Sequence, residues 1–534
     1  MARKAHFLYQ LKGVQHGNAH EELKADEAYP PELSKKLQEN IDSLKGSLGD
    51  GNDVKEHLFR FGSDQGLSGA LVFIDGLVNN ATLTDAILRP LQSWRPKDGQ
   101  VPPGADLICA LEQQVLCAAD TNNTPSLPEL VAGCLMGDTV LLVDGCASGL
   151  VISTKGWEKR SVSEPQTETV VRGPREGFTE NLRTNTAMVR RKIRNGRLRV
   201  EQMTVGRKTR TGVCLMYLED VANPKVVELV KYRIGKLDVE SVLETGYLEE
   251  YIEDAPFSPF STIGYSEKPD VVSAKILEGR VAILVDGTPF ALTAPMVFME
   301  SFQTAEDYYA RSLYTSLVRM LRIVAYLLSV FAPAIYIALN AFHHELIPTT
   351  LLFTIAKARE GTPFPVFVEA LIMVFAFELL REAGVRLPRP VGQAISIVGA
   401  LIMGEAAVSA GLVGAPMVIA IAVTAVAGFL TPSQNDSSSI LRVIMMVPAA
   451  IVGFYGVGLG CLAMLIHLAT LESFGVPYFE GFEHARDAQD TLVRMPLWSI
   501  SKRPRYIAQG DTTRGLPFIP PLRPHASREE EKEP

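Results

Sequence analysis

The chain has 534 residues, of which 47% are hydrophobic, and a formal net charge of -8 at pH 7. Its length allows more than one domain, its mean hydropathy of +0.12 fits a half-soluble, half-membrane protein, and its acidic balance argues against nucleic-acid binding. The six cysteines form no CxxC pair, so we expect reduced, buried thiols, with no bound metal and no disulfide framework.

Residues 1–54 are polar, and we expect them to form a disordered N-terminal segment. No hydrophobic signal core follows Met1, so a cleaved signal peptide is not indicated. The sequence therefore predicts that the N-terminal part stays in the cytoplasm.

The next stretch contains a duplication. SGALVFIDGLVN (68–79) resembles GVCLMYLEDVAN (212–223), and TVLLVDG (139–145) resembles VAILVDG (281–287). The offsets are 144 and 142 residues, so both matches share nearly the same period. We predict two related α/β subdomains, with a hairpin after each VDG turn. Their predicted ranges are 55–165 and 201–300.

These turns carry no catalytic signature. An Asp-Gly pair after a strand is usually a turn, and no GxGxxG or Walker loop accompanies either VDG. The soluble part shows no nucleophile, metal cluster or usefully spaced pair of acids. We expect neither a cofactor nor an enzymatic activity.

A basic segment, 166–200, joins the two subdomains. We predict a helix over Asn181–Ile193 within it. Aromatic residues are not interleaved with its positive charges, so a linker helix that is solvated, or paired with acids of a partner chain, is favoured over a nucleic-acid site. Its dense cluster comprises Arg190, Arg191, Lys192 and Arg194.

Residues 301–475 contain apolar blocks long enough to cross a bilayer. Leu321–Phe342 has 22 residues, which reach roughly 33 Å as a helix, and Pro333 is expected to kink it. The sequence therefore predicts an α/β cytoplasmic region followed by a polytopic α-helical membrane domain. The other blocks are Phe364–Leu380, Val391–Leu412, Pro416–Leu430 and Ile440–Leu471.

Two of these blocks have a face that lipid contact does not explain. The first block carries a polar stripe, which indicates contact with protein or water. The third block carries a thin face of small and polar residues, which is either a seam for a neighbouring helix or a pore lining. The polar stripe is Arg322, Tyr326, Ser329, Pro333, Tyr336 and Asn340. The thin face is Gln393, Ser396, Ala400, Gly404, Ala407 and Gly411.

Three acids lie in or beside apolar blocks. Glu378 is three residues before Arg381, so we expect a structural ion pair. Glu369 and Glu405 have no basic neighbour at helical spacing. Each is therefore protonated, paired across helices, or facing a water-filled cavity as part of an ion path.

The topology has two solutions. The basic link REAGVRLPRP is predicted to be cytoplasmic, and Thr349 to Ala358 is short enough to be re-entrant or interfacial. The basic tail favours the cytoplasm as well. Either Ile440–Leu471 bends back at its glycines, or the Thr349 segment crosses. Residues 476–534 are predicted to be a Pro-rich, charged tail that is extended or disordered.

Three stretches carry a family resemblance: VRGPREGFTENLRTN, the run AREGTPFPVFVEALIMVFAFELLREAGVRLPRPVGQAISIVGALIMGEAAVSAGLV, and SFGVPY. They resemble the A subunit of GerA-type spore germination receptors over roughly residues 55–480. The resemblance implies a nutrient receptor in the spore inner membrane, with a transporter-like B subunit and a lipoprotein C subunit as partners. It also implies a homo-oligomer that forms an ion channel for monovalent cations. The stage V sporulation AF-type paralogues share this architecture and are an alternative.

Two mechanisms remain open at this level. In a channel, several copies surround a pore lined by the polar stripe or the thin face. In a transporter component, one chain forms its own path, with Glu369 or Glu405 as a proton or ion site. Inverted repeats among the apolar blocks would favour the transporter, and the visible repeat lies in the soluble part instead.

Overall fold

The computed structural model describes residues 32–514, except 63–65, 96–101, 103, 119, 157–164, 166–167, 387–403, 480–487, 501 and 505. The chain divides into two compact units. The first comprises residues 1–160 and 186–201, and the second comprises 161–185 and 202–534.

The first unit contains an antiparallel sheet with the strand order β1-β2-β4-β5-β3. Helices cover both faces of this sheet, so β2 and β4 are apolar at nearly every position. We call this part the first subdomain. Its strands are β1 (Val54–Phe61), β2 (Leu67–Ile74), β3 (Thr121–Thr124), β4 (Thr139–Val143) and β5 (Gly149–Ile152). Its helices are α1 (Leu37–Leu48), the consecutive segments Asn80–Thr82, Leu83–Leu88 and Arg89–Ser93, α2 (Ala105–Gln114) and α3 (Leu127–Met136).

Helix α1 corrects the expectation that residues 1–54 are disordered throughout. Leu37, Ile41, Leu44 and Leu48 are buried at steps of four, three and four residues, and they pack in the same core cluster as β2 and β4. The helix ends at Gly49, whose φ of 92° is the left-handed conformation of a helix C-cap. Polar composition therefore concealed an amphipathic helix.

The second subdomain repeats this architecture. It lies in the second unit except for residues 186–201, which group with the first unit. Its sheet has the order β6-β7-β9-β10-β8, the same order in sequence terms as the first. Antiparallel pairing of β9 with β10, like that of β4 with β5, confirms the hairpin predicted after each VDG turn. Its strands are β6 (Leu198–Val205), β7 (Thr211–Leu218), β8 (Gly264–Ser266), β9 (Val281–Val285) and β10 (Ala291–Ala294). Its helices are α4 (Leu182–Lys192), α5 (Pro224–Gly235), α6 (Thr245–Ile252) and α7 (Pro269–Leu277).

The predicted linker helix is α4, and it is the counterpart of α1 rather than a simple connection. The Leu182 backbone N–H donates to Asp286 Oδ1, as the Leu37 N–H donates to Asp144 Oδ1. Arg190 is 1% exposed and pairs with Asp53 of its own chain at 2.7 Å. That residue of the basic cluster is therefore neither solvated nor available to a partner chain.

Apolar helices follow residue 311 within the second unit. The first of them runs unbroken through Pro333, and the short helix from Thr349 is about 16 Å long, too short to cross a bilayer. Residues 404–409 are also helical. The helices are α8 (Ser312–Ala341), α9 (Thr349–Arg359), α10 (Val366–Arg386), α11 (Ala415–Phe429), α12 (Asn435–Val452) and α13 (Phe454–Thr470). Short helices lie at Phe298–Phe302, Glu306–Tyr309, His344–Leu346, Pro432–Gln434, Ala488–Thr491 and Leu497–Ser499, and a two-stranded ribbon pairs Glu472–Ser473 with Val476–Pro477.

The last apolar block is a helical hairpin, which is one of the two topologies that the sequence allowed. Gly453 has φ 64° and ψ -139°, a conformation open to glycine, and it separates α12 from α13. A Cβ atom on Gly456 would lie 2.1 Å from the Pro448 carbonyl oxygen, so the two helices pack backbone to backbone. The hairpin tip lies beside Phe342 and His343, at the end of α8.

Expectations about the tail and the cysteines are corrected. Ile507 and Ala508 are 1% and 0% exposed, so this part of the tail is packed rather than extended in solvent. All six cysteines are free, as expected, but Cys109 and Cys117 are exposed rather than buried.

Candidate functional site: buried ion clusters among the apolar helices

The outer surfaces of the helices are apolar. Leu313, Ile419 and Ile451 are 88%, 65% and 67% exposed, which in a soluble protein would place large hydrophobic side chains in water. Among the described residues, Ser312–Ala341 and Pro432–Val452 are long and apolar enough to cross a membrane, judged by length and composition. These features indicate membrane association.

Glu369 lies in a fully buried polar cluster. Its Oε1 accepts the Gly414 backbone N–H, at the start of α11, and its Oε2 lies 3.4 Å from Nε of Arg359, at the end of α9. The carboxylate is 0% exposed, so the guanidinium offsets a charge that would otherwise be costly in an apolar surrounding. Of the three states that the sequence left open, the structure contains the pair across helices.

Two residues of the polar stripe lie next to this cluster. The Tyr336 hydroxyl is buried without a hydrogen-bond partner and is within electrostatic range of Glu369 and Arg359. The Asn340 amide donates to the Tyr336 carbonyl oxygen at 2.9 Å, so it is used within α8. We call Tyr336, Arg359, Glu369 and Gly414 the upper cluster.

A second cluster lies nearer the end of α12 that contacts the second subdomain. Glu378 pairs with Arg381 at 2.7 Å, which confirms the predicted ion pair, and it also pairs with Arg442 of α12 at 2.9 Å. Arg442 Nε donates to the Ser329 carbonyl oxygen at 2.8 Å. The Ser329 hydroxyl donates to the Tyr326 carbonyl oxygen within its own helix. The polar stripe of α8 therefore contacts other helices of the same chain at this level.

The thin face is only partly described. Gln393, Ser396 and Ala400 lie outside the described residues. Gly404 is buried, with Val418 as the nearest contact for an added Cβ at 3.4 Å, and Ala407 is half-buried. Glu405, beside them, is exposed on an apolar helix. The structure thus separates the two acids: Glu369 is buried and paired, whereas Glu405 is exposed.

A third cluster, at the base of α8, was not predicted. Arg319 is 0% exposed, and its Nε donates to Asp307 Oδ2 at 3.0 Å. Its Nη1 donates to the Asp490 carbonyl oxygen and lies 3.3 Å from Asp490 Oδ1. Arg322 completes the cluster with a 2.9 Å contact to Asp307. The partners are separated by 12 to 171 residues, so no local pattern pointed to them.

A loop of the second subdomain, residues 253–263, reaches the last two helices. Ser258 Oγ lies 2.9 Å from Nε2 of His467 in α13, and the Pro259 carbonyl oxygen accepts a hydrogen bond from Ser437 in α12. Phe260 is fully buried in the core cluster of the apolar helices. We call this stretch the contact loop.

The contact loop is held by Glu249 of α6 and by its own first residue, Glu253. Glu249 accepts from Ser261 Oγ at 3.0 Å, and Glu253 accepts from the Thr262 backbone N–H at 3.0 Å. Burial raises the pKa of Glu249 to about 7, with Glu253 and Glu244 adding like-charge repulsion. Burial also raises the pKa of Glu253.

The chain is similar to known proteins over most of its length. The family model described as Bacillus/Clostridium GerA spore germination protein matches residues 42–506. Spore germination protein KA of Bacillus subtilis (strain 168) is 42% identical over 489 residues, which cover 91% of this chain and 89% of that protein. The uncharacterized membrane protein YfkQ of the same organism is 42% identical over 487 residues, covering 90% and 93%.

Two further matches come from other species. Spore germination protein GerLA of Bacillus cereus is 38% identical over 491 residues, which cover 90% of this chain and 98% of that protein. The crystal structure of the N-terminal domain of the A subunit of the Bacillus megaterium spore germinant receptor GerK3 is 36% identical, with a TM-score of 0.40. The match covers 50% of this chain and 97% of the chain in that crystal structure.

Proposed function

Because the chain belongs to the GerA family of spore germination proteins, we propose that it is the membrane A subunit of a nutrient-responsive germinant receptor. Members of this family are germination proteins rather than enzymes. The observation that carries the proposal is the match over residues 42–506, which includes both α/β subdomains and the apolar helices. The proposed location is the spore inner membrane, with the subdomains in the cytoplasm.

The proposed receptor contains a transporter-like B subunit and a lipoprotein C subunit, in addition to several copies of this chain. The exposed apolar surface of the helices supports a membrane-embedded A subunit. We propose that the copies form a ring around a channel that releases monovalent cations. Mass photometry of the full receptor in mild detergent tests this, because a single copy of this chain per particle would favour the transporter alternative.

The proposed topology has six crossings, with both termini in the cytoplasm. In α12, Ser437 bonds to the contact loop, while the far end of the α12–α13 hairpin reaches Phe342. After α13, Ser473 Oγ donates to the Thr262 carbonyl oxygen, so the chain has returned to the second subdomain. Labelling of single cysteines placed at Gly453 and Lys502 from outside the membrane tests the proposal. The proposed topology predicts that the cysteine at position 453 is modified and that the cysteine at position 502 is protected.

The proposed ion path runs along the thin face of 391–411, with Glu405 beside it. Two observations support this choice over the polar stripe of α8. Glu405 is exposed, so a neighbouring copy or water can face it. Ser329 and Glu369 are instead used in contacts within the chain. Glu369 is buried and paired with Arg359 at 3.4 Å, so it does not face a water-filled path, which weighs against a transporter centred on it.

The test is monovalent-cation release from spores that carry Glu405→Gln or Ala407→Leu, measured with the protein level in the inner membrane. On a pore lining, both variants keep their normal level and change release. On a packing seam, Ala407→Leu overpacks the helix contact and lowers the protein level. Glu382→Gln is the matched control, because Glu382 is an exposed acid whose pair with Arg386 lies on α10. Normal release and normal levels in both variants would remove this face from the ion path.

A further inference from the structure

The described part of the C-terminal segment, within 488–514, contacts the base of α8 at one end and the second subdomain at the other. We call this segment the strap. We propose that the strap is a coupling element: it fastens the second subdomain to α8, so that a displacement of the subdomain is transmitted to the first transmembrane helix. Of the two tests below, only the one that measures ion release rests on the proposed membrane function.

At its first end, the strap holds the entry to α8. Asp490 contacts Arg319 through both its carboxylate and its carbonyl oxygen. Arg494 is 5% exposed and donates to the carbonyl oxygens of Tyr308 and Ala310 at 3.3 and 3.1 Å, immediately before α8 begins. Its backbone N–H donates to Ser316 Oγ at 3.1 Å, near the start of α8. The strap therefore holds this helix start by charged and hydrogen-bonded contacts, and its Leu492 also packs against the core of the apolar helices.

At its second end, the strap is built into the subdomain. Ala508 forms a β-bridge with Ala222, and Ile507 lies in the core cluster of the second sheet. Arg503 Nε donates to the Leu277 carbonyl oxygen at 2.9 Å, at the end of α7. A Cβ atom on Gly510 would lie 1.9 Å from the Asp220 carbonyl oxygen, so the strap approaches the subdomain backbone directly.

A continuous series of ion pairs joins the two ends. Arg280 pairs with Glu300 at 2.9 Å and also with Glu278, and Glu278 pairs in turn with Arg514 of the strap. Arg514 lies 3.7 Å from Asp490, which holds Arg319. Charges of opposite sign thus alternate from the subdomain through the strap to α8. A shift at one pair changes the field and the hydrogen bonds at the next, which is a physical route for coupling.

The first test uses Arg503→Ala and Gly510→Ala in the full-length protein in lipid nanodiscs. Arg503→Ala removes the bond to α7 together with the contacts of Arg503 to Asp511 and Thr513 inside the strap. Gly510→Ala forces the strap off the Asp220 backbone by steric overlap. Lys502→Ala is the control, because it removes the same charge from an exposed neighbour. Hydrogen–deuterium exchange is followed separately in 502–514 and in 303–322.

We expect both variants, and not the control, to speed exchange by roughly 2- to 30-fold in 303–322 as well as in 502–514. Faster exchange confined to 502–514 would show that the strap transmits nothing, and would overturn the proposal. The same would follow if Lys502→Ala matched Arg503→Ala. This readout does not depend on ion conduction, so it stands even if the chain is not a channel.

The second test is a rescue. Ala222 and Ala508 face each other across an isolated bridge, a geometry suited to a disulfide. In coat-stripped spores, Arg503→Ala should slow nutrient-triggered cation release by roughly 2- to 30-fold. Adding Ala222→Cys and Ala508→Cys should restore the rate, and a reductant should abolish the restoration. If the disulfide forms but cation release is not restored, the coupling role is overturned. If wild-type spores release no cations, the result counts against the proposed channel alone.

Discussion

The two α/β subdomains share a sheet order but differ in the connection that precedes their third strand in sequence. In the first subdomain, six residues (115–120) join α2 to β3, and Cys117 is exposed there. In the second, eleven residues (253–263) join α6 to β8, and they form the contact loop. The five extra residues supply the length that brings Phe260 into the helical core. The longer loop thus distinguishes the second subdomain, since it is the one that contacts the helices.

The shared features are as instructive as the difference. Asn40 accepts from the Ser34 backbone N–H at 2.8 Å and donates to its carbonyl oxygen, and Asn185 makes the same two bonds with Thr179. Both amides are almost fully buried. The contacts at the helix start and at the VDG turn are therefore repeated in the two subdomains, and we call this arrangement the joint. The loop that precedes the third strand, by contrast, differs between them.

The largest effect should come from removing α1, which tests whether the first subdomain needs its leading helix. We expect residues 32–302 to fold when expressed alone, and residues 55–302 to lose the first subdomain. Four buried side chains of α1 each contribute about 1.5–3 kcal/mol, a total on the order of 10 kcal/mol, comparable with the stability of a domain. Amide NMR spectra of the two fragments check this. A fully dispersed spectrum from the shorter fragment would contradict it.

The next effect concerns the buried pair between Asp53 and Arg190. We expect Asp53→Ala to lower the free energy of unfolding of the first subdomain by about 3–5 kcal/mol, because it leaves a guanidinium buried without its counterion. The matched control is Asp238→Ala, whose partner Arg207 is largely exposed, with an expected loss below about 1 kcal/mol. Urea unfolding of the 32–302 fragment measures both. Equal losses in the two variants would mean that breaking the buried pair costs no more stability than breaking the exposed one.

The equivalence of the two joints can be tested by Asn40→Ala and Asn185→Ala. Each variant removes the acceptor of a backbone N–H, which is half-buried at Ser34 and buried at Thr179, so each subdomain should lose about 1–3 kcal/mol. If the joints are mechanically alike, the two losses should agree within about 0.5 kcal/mol. Thermal unfolding followed by a probe in each subdomain measures the two losses. A loss in one variant only would show that the two joints do not contribute equally to stability.

The smallest effect is a pH dependence confined to the second subdomain. The pKa of Glu249 is about 7 in the folded protein against a usual value of 4.5, so the folded state binds more protons between these values. The contribution of Glu249 to stability is therefore most favourable below about pH 4.5, and it is lost as the pH rises from there through 7. Glu249→Gln should flatten the thermal unfolding profile in this window. Glu250→Gln, which removes an exposed neighbouring charge, should leave the slope unchanged.

Repeated motifs made the duplication visible in the sequence, because strands such as β4 and β9 are short, apolar and followed by the same turn. Periodicity also identified α4 and the apolar helices. Glu378 and Arg381 were paired correctly since they lie one turn apart.

What escaped prediction depends on long-range contacts. Arg359 and Glu369 lie on different helices, so no helical spacing connects them. The strap contains many prolines and charges, and its order comes from contacts with residues more than 170 positions away, such as Arg319. Helix α1 escaped for a different reason: its four apolar residues were outnumbered by polar ones, and composition was given more weight than spacing.

The ion pair between Arg442 and Glu378 bears on how the protein is made. In the proposed topology α12 crosses the membrane, where an arginine near the centre of a helix costs about 2.5–3.5 kcal/mol on insertion, so α12 would be a poor substrate for the translocon by itself. The ribosome synthesises Glu378 more than 60 residues before Arg442, so in this topology the counterion enters the bilayer before α12 emerges. Reversing the two charges would present the unpaired arginine first. Chain order itself thus lowers the barrier to assembly.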